Sequence, residues 1–197
     1  MSIISGPEIE RLATTSPFLS ITPFVRNHVG PNSIDVTLAP ELLVYAPQPR
    51  FDRATGCTTY TMELDCRSAT PTRTLTIPDD GFILNPNVLY IGSTVERTEC
   101  NGLVPVLNGR SSIGRLGISV HVTAGFGDDG FGGGPSGPCT WTLEITCVHP
   151  VRIYAGMRIA QLAFFTLTGE RCPYTGRYAD QSGPTASRMH LPGTESH

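Results

Sequence analysis

The chain has 197 residues, 39% hydrophobic and 16% charged, with 21 glycines and 17 prolines. That size predicts one domain over residues 1–197, and so much Gly and Pro predicts short strands and turns rather than long helices, which want Ala, Leu, Glu and Lys. All 14 basic residues are arginine and the formal net charge is −3, which excludes Schiff-base and Walker-A lysine chemistry and leaves no basic field to hold nucleic acid.

In chain order, residues 5–15 (SGPEIERLATT) predict a short helix, with Ser5 as cap, Pro7 in the first turn, and Ile9 and Leu12 three apart. PFLSITPF and NSIDVTLAPELLVY are strand-like; Ile34, Val36 and Leu38 alternate with Asp35 and Thr37, so one face is buried. Residues 46–76 are irregular, with a hairpin around TTYTMEL, and 44–80 holds no functional motif. FILNPNVLYIGSTVER (82–97) predicts two strands broken near Asn85-Pro86-Asn87. VPVLNGRSSIGRLGISVHVTA then leads into a glycine tract over 125–137. TWTLEITC alternates, with Trp141, Leu143 and Ile145 on one face and Thr142, Glu144 and Thr146 on the other. VRIYAGMRIAQLAFFTLT supplies the last strands, and the tail from Cys172 is rich in Gly, Pro and Ser. The fold class predicted is all-β with minor helices, in a barrel-like or jelly-roll architecture.

The chain holds no apolar run of membrane-spanning length. Its start, MSIISGPEIERL, lacks the basic opening of a signal peptide. A cytoplasmic location is therefore expected, with no membrane partner. The six cysteines form no C-x-x-C pair, and the five histidines form no H-x-E or H-x-x-x-H pattern. No zinc or other protein-held metal site is expected, and most cysteines read as small core fillers.

Three segments carry candidate chemistry. In Gly109-Arg110-Ser111-Ser112-Ile113-Gly114-Arg115-Leu116-Gly117, two arginines flank two serines, so hydroxyls, N–H groups and a guanidinium can converge on an anion. The spacing alone leans to the plainer outcome, a serine-capped surface helix with solvated arginines. In Thr123–Phe131, glycines permit close approach of a flat ligand, Phe131 can pack a sugar ring and a neighbouring Asp can take its hydroxyl; a flexible hairpin fits the same residues. Glu144 shares its strand face only with threonines, so it is either buried with partners or lines a pocket, and the pattern does not choose. The tail, with Tyr174, Arg177, Gln181 and Gly183–Arg188, reads as a disordered end or as a lid over an anion.

Taken together, GRSSIGRLG…HVTAGFGDDGF…TLEI…RIAQL…PY…Q-x-GPTASR resembles the dCTP deaminase branch of the trimeric dUTPase-like family, collinearly from Gly30 to Arg188. The resemblance implies a distorted β jelly-roll barrel in a homotrimer, with active sites at subunit interfaces and no metal at the base. It implies Glu144 as the catalytic glutamate that activates water against cytosine C4, with Ser111 and Arg115 orienting the base and the glutamate. It implies phosphate contacts from Arg110, Ser111 and Ser112, a 3′-hydroxyl contact from Asp128, and Phe131 beneath the sugar. Nucleotide contacts extend to Ile113, Gly114, Thr123, Thr142, Leu143, Gln161, Tyr174, Arg177 and Gln181. Arg177 stands where the family usually has lysine; the charge is kept but the geometry altered. Mg²⁺ would ride on the substrate triphosphate.

Gly125 and Phe126 occupy positions where monofunctional enzymes usually carry His-Arg. TAGF-x-D-x-GF with TLE resembles instead the bifunctional enzymes that convert dCTP to dUMP. A plain dUTPase shares the hairpin but normally lacks the strand glutamate. The alternatives are a monofunctional deaminase giving dUTP, a dUTP diphosphatase, and a non-catalytic sensor of dCTP or dTTP. Gly127 replaces an expected apolar residue and 132–138 lengthens the hairpin, so base and sugar selectivity are the features this sequence leaves most open.

Overall fold

The computed structural model describes residues 2–134 and 136–192; the last five residues of the predicted tail, and Pro135 of the glycine tract, lie outside the described residues. The N-terminal helix α1, Gly6–Thr15, forms where the sequence predicts it, with Pro7 in its first turn and Ile9 and Leu12 buried on one side. Ser5 stands at the cap position, but its side chain makes no capping hydrogen bond.

The strands are β1 Leu19–Thr22, β2 Ile34–Thr37, β3 Glu41–Tyr45, β4 Gln48–Asp52, β5 Cys57–Thr61, β6 Thr72–Thr76, β7 Phe82–Leu84, β8 Tyr90–Cys100, β9 Leu103–Gly109, β10 Ile118–His121, β11 Cys139–Cys147, β12 Val151–Ile153 and β13 Arg158–Thr166. A four-residue helix, α2 Ser111–Gly114, sits between β9 and β10. Six strands make the main antiparallel sheet in the order β10-β11-β8-β3-β6, with β1 also paired to β8. A second sheet runs β2-β13-β9, and β12-β7 and β4-β5 are two-stranded. The fold is thus mostly β, as the composition predicts. No sheet closes into a barrel among the described residues; the architecture is a set of open sheets around one core. That core draws Leu42, Leu143 and Ile145 from the main sheet and Ile34, Val36, Leu107, Leu162 and Phe164 from the second. Among the described residues no helix is long and apolar enough to cross a membrane.

Three local features position the site. First, β7 and β8 break at Asn85–Asn87, where Asn87 takes φ +64° and the Asn85 amide donates to the Tyr90 hydroxyl at 3.0 Å. The two strands then part company, β7 pairing with β12 and β8 entering the main sheet. Second, β11 runs between β10 and β8 and alternates as the sequence predicts: Trp141, Leu143 and Ile145 are buried, while Thr142 and Glu144 are half-buried on the opposite face. A bulge between Thr140 and Thr142 takes Trp141 out of the ladder. Its amide donates to the Thr94 hydroxyl at 3.0 Å instead, and its indole N–H to Thr98 Oγ1 at 2.9 Å, so the extra residue costs no unpaired donor.

Third, the glycine tract packs closely rather than flexing as an open hairpin. Gly132 has φ +88°, and a Cβ there would stand 1.9 Å from the Thr98 carbonyl oxygen, a space that only glycine fits. The β4–β5 hairpin, by contrast, is exposed along almost its whole length. Its turn is shaped by Asp52, which accepts from the Ala54 amide and the Thr55 hydroxyl, each at 2.8 Å. Those bonds hold the Asp52 carboxyl below its usual range.

Candidate active site

A cavity of about 360 Å³ opens where the Glu144 face of β11 meets the glycine hairpin and the tail. Thr142 and Glu144 come from β11, and Val122, Thr123 and Ala124 from the turn after β10. Phe126, Asp128 and Phe131 come from the hairpin, Ile91 from β8 and Tyr45 from β3. The volume is in the range of small-molecule sites, and the mixture of apolar walls with few polar groups is typical of them.

Glu144 resolves the ambiguity left by the strand pattern: it lines the cavity and also has a partner. Thr123 Oγ1 donates a hydrogen bond to its Oε2. Strand register explains the pairing, since His121 lies opposite Glu144 across β10–β11 and Thr123 follows two residues on. Asp128 is the second cavity carboxylate; it is exposed and makes no side-chain hydrogen bond or ion pair among the described residues. Phe131 is buried, its ring centroid 4.7 Å from that of Trp141 and 6.0 Å from that of Tyr174, the planes tilted by 43° and 50°, so the three rings make an aromatic cluster in the cavity wall. Gly125, φ +83°, closes the turn with its amide on the Val122 carbonyl at 2.9 Å, and Phe126 projects 55% exposed at the mouth.

The tail is built into this site. Gln181 is buried; its Nε2 donates to the Thr140 carbonyl at 2.7 Å and its Oε1 accepts from the Thr142 hydroxyl at 3.3 Å. The Tyr174 amide donates to the Asp129 carbonyl at 2.8 Å. The amides of Tyr178 and Arg188 donate to the hydroxyls of Tyr174 and Tyr178, at 3.2 and 3.0 Å. The Ser187 amide reaches the Tyr45 hydroxyl at 3.2 Å. Arg177 is exposed, and its carbonyl accepts from Arg188 Nη1.

The double-arginine segment stands apart. Ser111, Ser112, Gly114 and Arg115 are exposed and none lines the cavity, while Ile113 is buried in the core. Arg110 precedes α2 and pairs through Nε with Asp35 Oδ1 at 2.9 Å; Arg158 pairs with the same carboxylate at 3.2 Å. Gln161, on β13, lies beside Asp35 on one side and Asn108 on the other, also away from the cavity. Leu143 is fully buried on the core face of β11. The cavity lining of one chain therefore offers two carboxylates and, among the described residues, no arginine.

The sequence reading missed two wall residues, Tyr45 in a region without motifs and Tyr178 in a tail with no periodicity, while Thr185 and Ser187 fall inside the Gly183–Arg188 segment it named as a lid. It also missed the buried Asp129, whose carboxylate is gripped by Arg171. No metal-holding cluster of three or more His, Cys, Asp or Glu occurs among the described residues. All six cysteines are unpaired. Burial raises the thiol pKa of Cys100 and pushes that of Cys139 up to about 12, so both stay protonated core residues.

The chain is mostly β and lines a cavity of small-molecule size with a strand glutamate and an aromatic hairpin. The profile of the dCTP deaminase-like family matches residues 3–167. A "dCTP deaminase, dUMP-forming" from Leptospira biflexa serovar Patoc is 42% identical over 190 residues, covering 95% of this chain and 96% of that protein. A protein of the same name from Hathewaya histolytica is 41% identical over 188 residues, covering 95% and 96%. Among solved structures, the 2′-deoxycytidine 5′-triphosphate deaminase of Agrobacterium tumefaciens shares the fold, with a TM-score of 0.57 and 19% identity over 82% of this chain. This chain spans about half of that one, 47%. The chain belongs to the dCTP deaminase family.

Proposed function

We propose that the protein is a dUMP-forming dCTP deaminase, and that Glu144 is its catalytic group. One observation carries the reading: the only strand carboxylate of β11 faces the cavity, not the core, and is aimed by Thr123. Relatives about 40% identical over nearly the whole chain, themselves named dUMP-forming dCTP deaminases, support it.

In the reaction, Glu144 takes a proton from water as hydroxide adds to C4 of cytosine. The proton passes to the amino nitrogen, the C4–N bond breaks, and ammonia leaves a uracil carbonyl. Thr123 keeps the carboxylate pointed at the base. Phe131 supplies the face on which the deoxyribose rests and Asp128 accepts its 3′-hydroxyl. A second water then displaces diphosphate from the α-phosphorus, leaving dUMP. A Mg²⁺ ion needs few protein ligands where a triphosphate supplies the oxygens. Such an ion would neutralise phosphate charge, and Asp128, a carboxylate at the cavity, is a candidate to orient the second water.

A triphosphate also needs cations that this cavity lacks. The exposed α2 segment offers the Arg115 guanidinium, with the Ser111 and Ser112 hydroxyls as donors beside it, if a neighbouring copy docks, and such sharing suits the homotrimer that the family resemblance implies. Gly125 and Phe126 mark the bifunctional branch by resemblance. The whole chain acts as one unit in this reading, since the tail completes the cavity wall. Six unpaired cysteines fit a reducing, cytoplasmic compartment.

The test is parallel incubation with dCTP, dUTP and dCMP, each with Mg²⁺, and separation of products. dUMP with no free dUTP is expected; dUTP as the end product would make the enzyme monofunctional, and consumption of dUTP alone would make it a diphosphatase. Glu144→Gln is expected to cut ammonia release by at least about 10³-fold while nucleotide still binds. Undiminished release in that variant would remove Glu144 from the mechanism.

A further inference from the structure

Asp128 and Asp129 are adjacent and behave oppositely. Asp128 faces the open cavity, whereas Asp129 turns inward with its side chain 5% exposed. The Asp129 carboxylate accepts from Arg171 Nε at 2.8 Å and from Arg171 Nη2 at 2.9 Å, a two-pronged pairing. Its Oδ1 also accepts from the Gly102 amide at 2.5 Å, and its carbonyl oxygen from the Tyr174 amide at 2.8 Å. Arg171 Nη2 reaches on to Asn101 Oδ1 at 3.4 Å.

Three separate stretches therefore meet on one side chain: the turn between β8 and β9, the hairpin, and the start of the tail. The contact is tight. A Cβ on Gly130, the next residue, would stand 2.9 Å from the Pro173 Cβ. One residue further, the Phe131 ring packs at a tilt against that of Tyr174, centroids 6.0 Å apart. The catalytic reading assigns no role to Asp129 or Arg171.

We propose that Asp129 and Arg171 are positioning residues for nucleotide binding: the fork that Arg171 makes on the buried Asp129 carboxylate joins the hairpin bearing Asp128 and Phe131 to the tail bearing Tyr174, so the sugar side of the cavity is formed before ligand arrives. This rests on the nucleotide reading of that cavity. Neither residue touches the reacting atoms, so the fork acts on binding and not on the chemical step. A wall ordered in advance spares the ligand the entropy of ordering it. The planar guanidinium matches the carboxylate with two parallel bonds, which a lysine ammonium cannot reproduce.

The test uses Arg171→Met, which keeps an unbranched stem and loses the fork, with Arg171→Lys as the conservative variant. For Arg171→Met, KM for dCTP is expected to rise about tenfold while kcat stays within about twofold. Arg171→Lys should recover part of the KM. In the free protein, amide hydrogen exchange should accelerate in Arg171→Met over both 128–134 and 173–181 while the main sheet keeps its protection. A wild-type KM, an equal fall in kcat, or unchanged exchange in either segment would overturn the proposal. A wild-type protein that turns over no deoxynucleotide would sink the nucleotide reading instead, and the exchange measurement, made without ligand, separates the two failures.

Discussion

Asp129 carries a charge in a place that disfavours one. Burial works against its ionised form, but the Arg171 fork and the Gly102 and Gly130 amides outweigh it, holding the carboxyl below its usual range. A carboxyl depressed in the folded state stabilises above its unfolded pKa, about 3.9, and that contribution disappears as pH falls through the folded value. Urea unfolding of wild type and Asp129→Asn at a series of pH values should show the wild type ahead at pH 7, with the gap shrinking below about pH 4. A gap equal at both ends would mean that the carboxylate charge contributes nothing. At this scale the sequence was uneven. Glu144 could be picked out because it broke a threonine face on an alternating strand. The local pattern did not divide the labour between Asp128 and Asp129, because two acids side by side in a turn do not reveal which one points inward; only the family resemblance singled out Asp128. Asp35 read as the polar face of a strand; its pairing with both Arg110 and Arg158 arises from the β2-β13-β9 register, which no local pattern encodes.

Among elements, the β8–β11 pair does most to set the direction of Thr142 and Glu144. The bulge at Trp141 sits immediately before Thr142 and Glu144, and it is tolerated because Thr94 supplies the missing acceptor while donating its own proton to the Glu96 carbonyl at 2.7 Å. Thr94→Val keeps the shape and removes that acceptor. The stranded amide is expected to cost about 1–3 kcal/mol, seen as a lower urea midpoint. kcat should fall as well, since the bulge sets the direction of the next two side chains. An unchanged midpoint would show the Trp141 amide to be satisfied some other way. Most elements were legible from local signals: α1 from Pro7 with Ile9 and Leu12, the strand break from Asn-Pro-Asn, and β11 from strict alternation. The destination of β7 was not, because pairing with β12 depends on residues nearly seventy positions away. The glycine tract invited a flexible reading, since composition reports freedom of the backbone and not the neighbours that fill it.

At the level of the whole molecule, the cavity has carboxylates and an aromatic cluster but no arginine of its own among the described residues, while the exposed α2 segment has hydroxyls and Arg115 but no cavity. The proposed sharing between copies would reconcile the two. Co-expression of Glu144→Gln with Arg115→Ala, each inactive alone, should then restore activity at about a quarter of the sites if subunits mix at random, because one site in four draws both intact residues. No recovery in mixed oligomers would place both residues in the same chain's site. The barrel expected from resemblance is not closed in the described chain; the sheets remain open around a single core.

The chain contains a single tryptophan, and it is Trp141, in the cavity wall against Phe131. Its emission therefore comes from one place alone, beside the ring on which a bound sugar would lie, so the molecule carries a native optical gauge of occupancy that needs no label and no turnover.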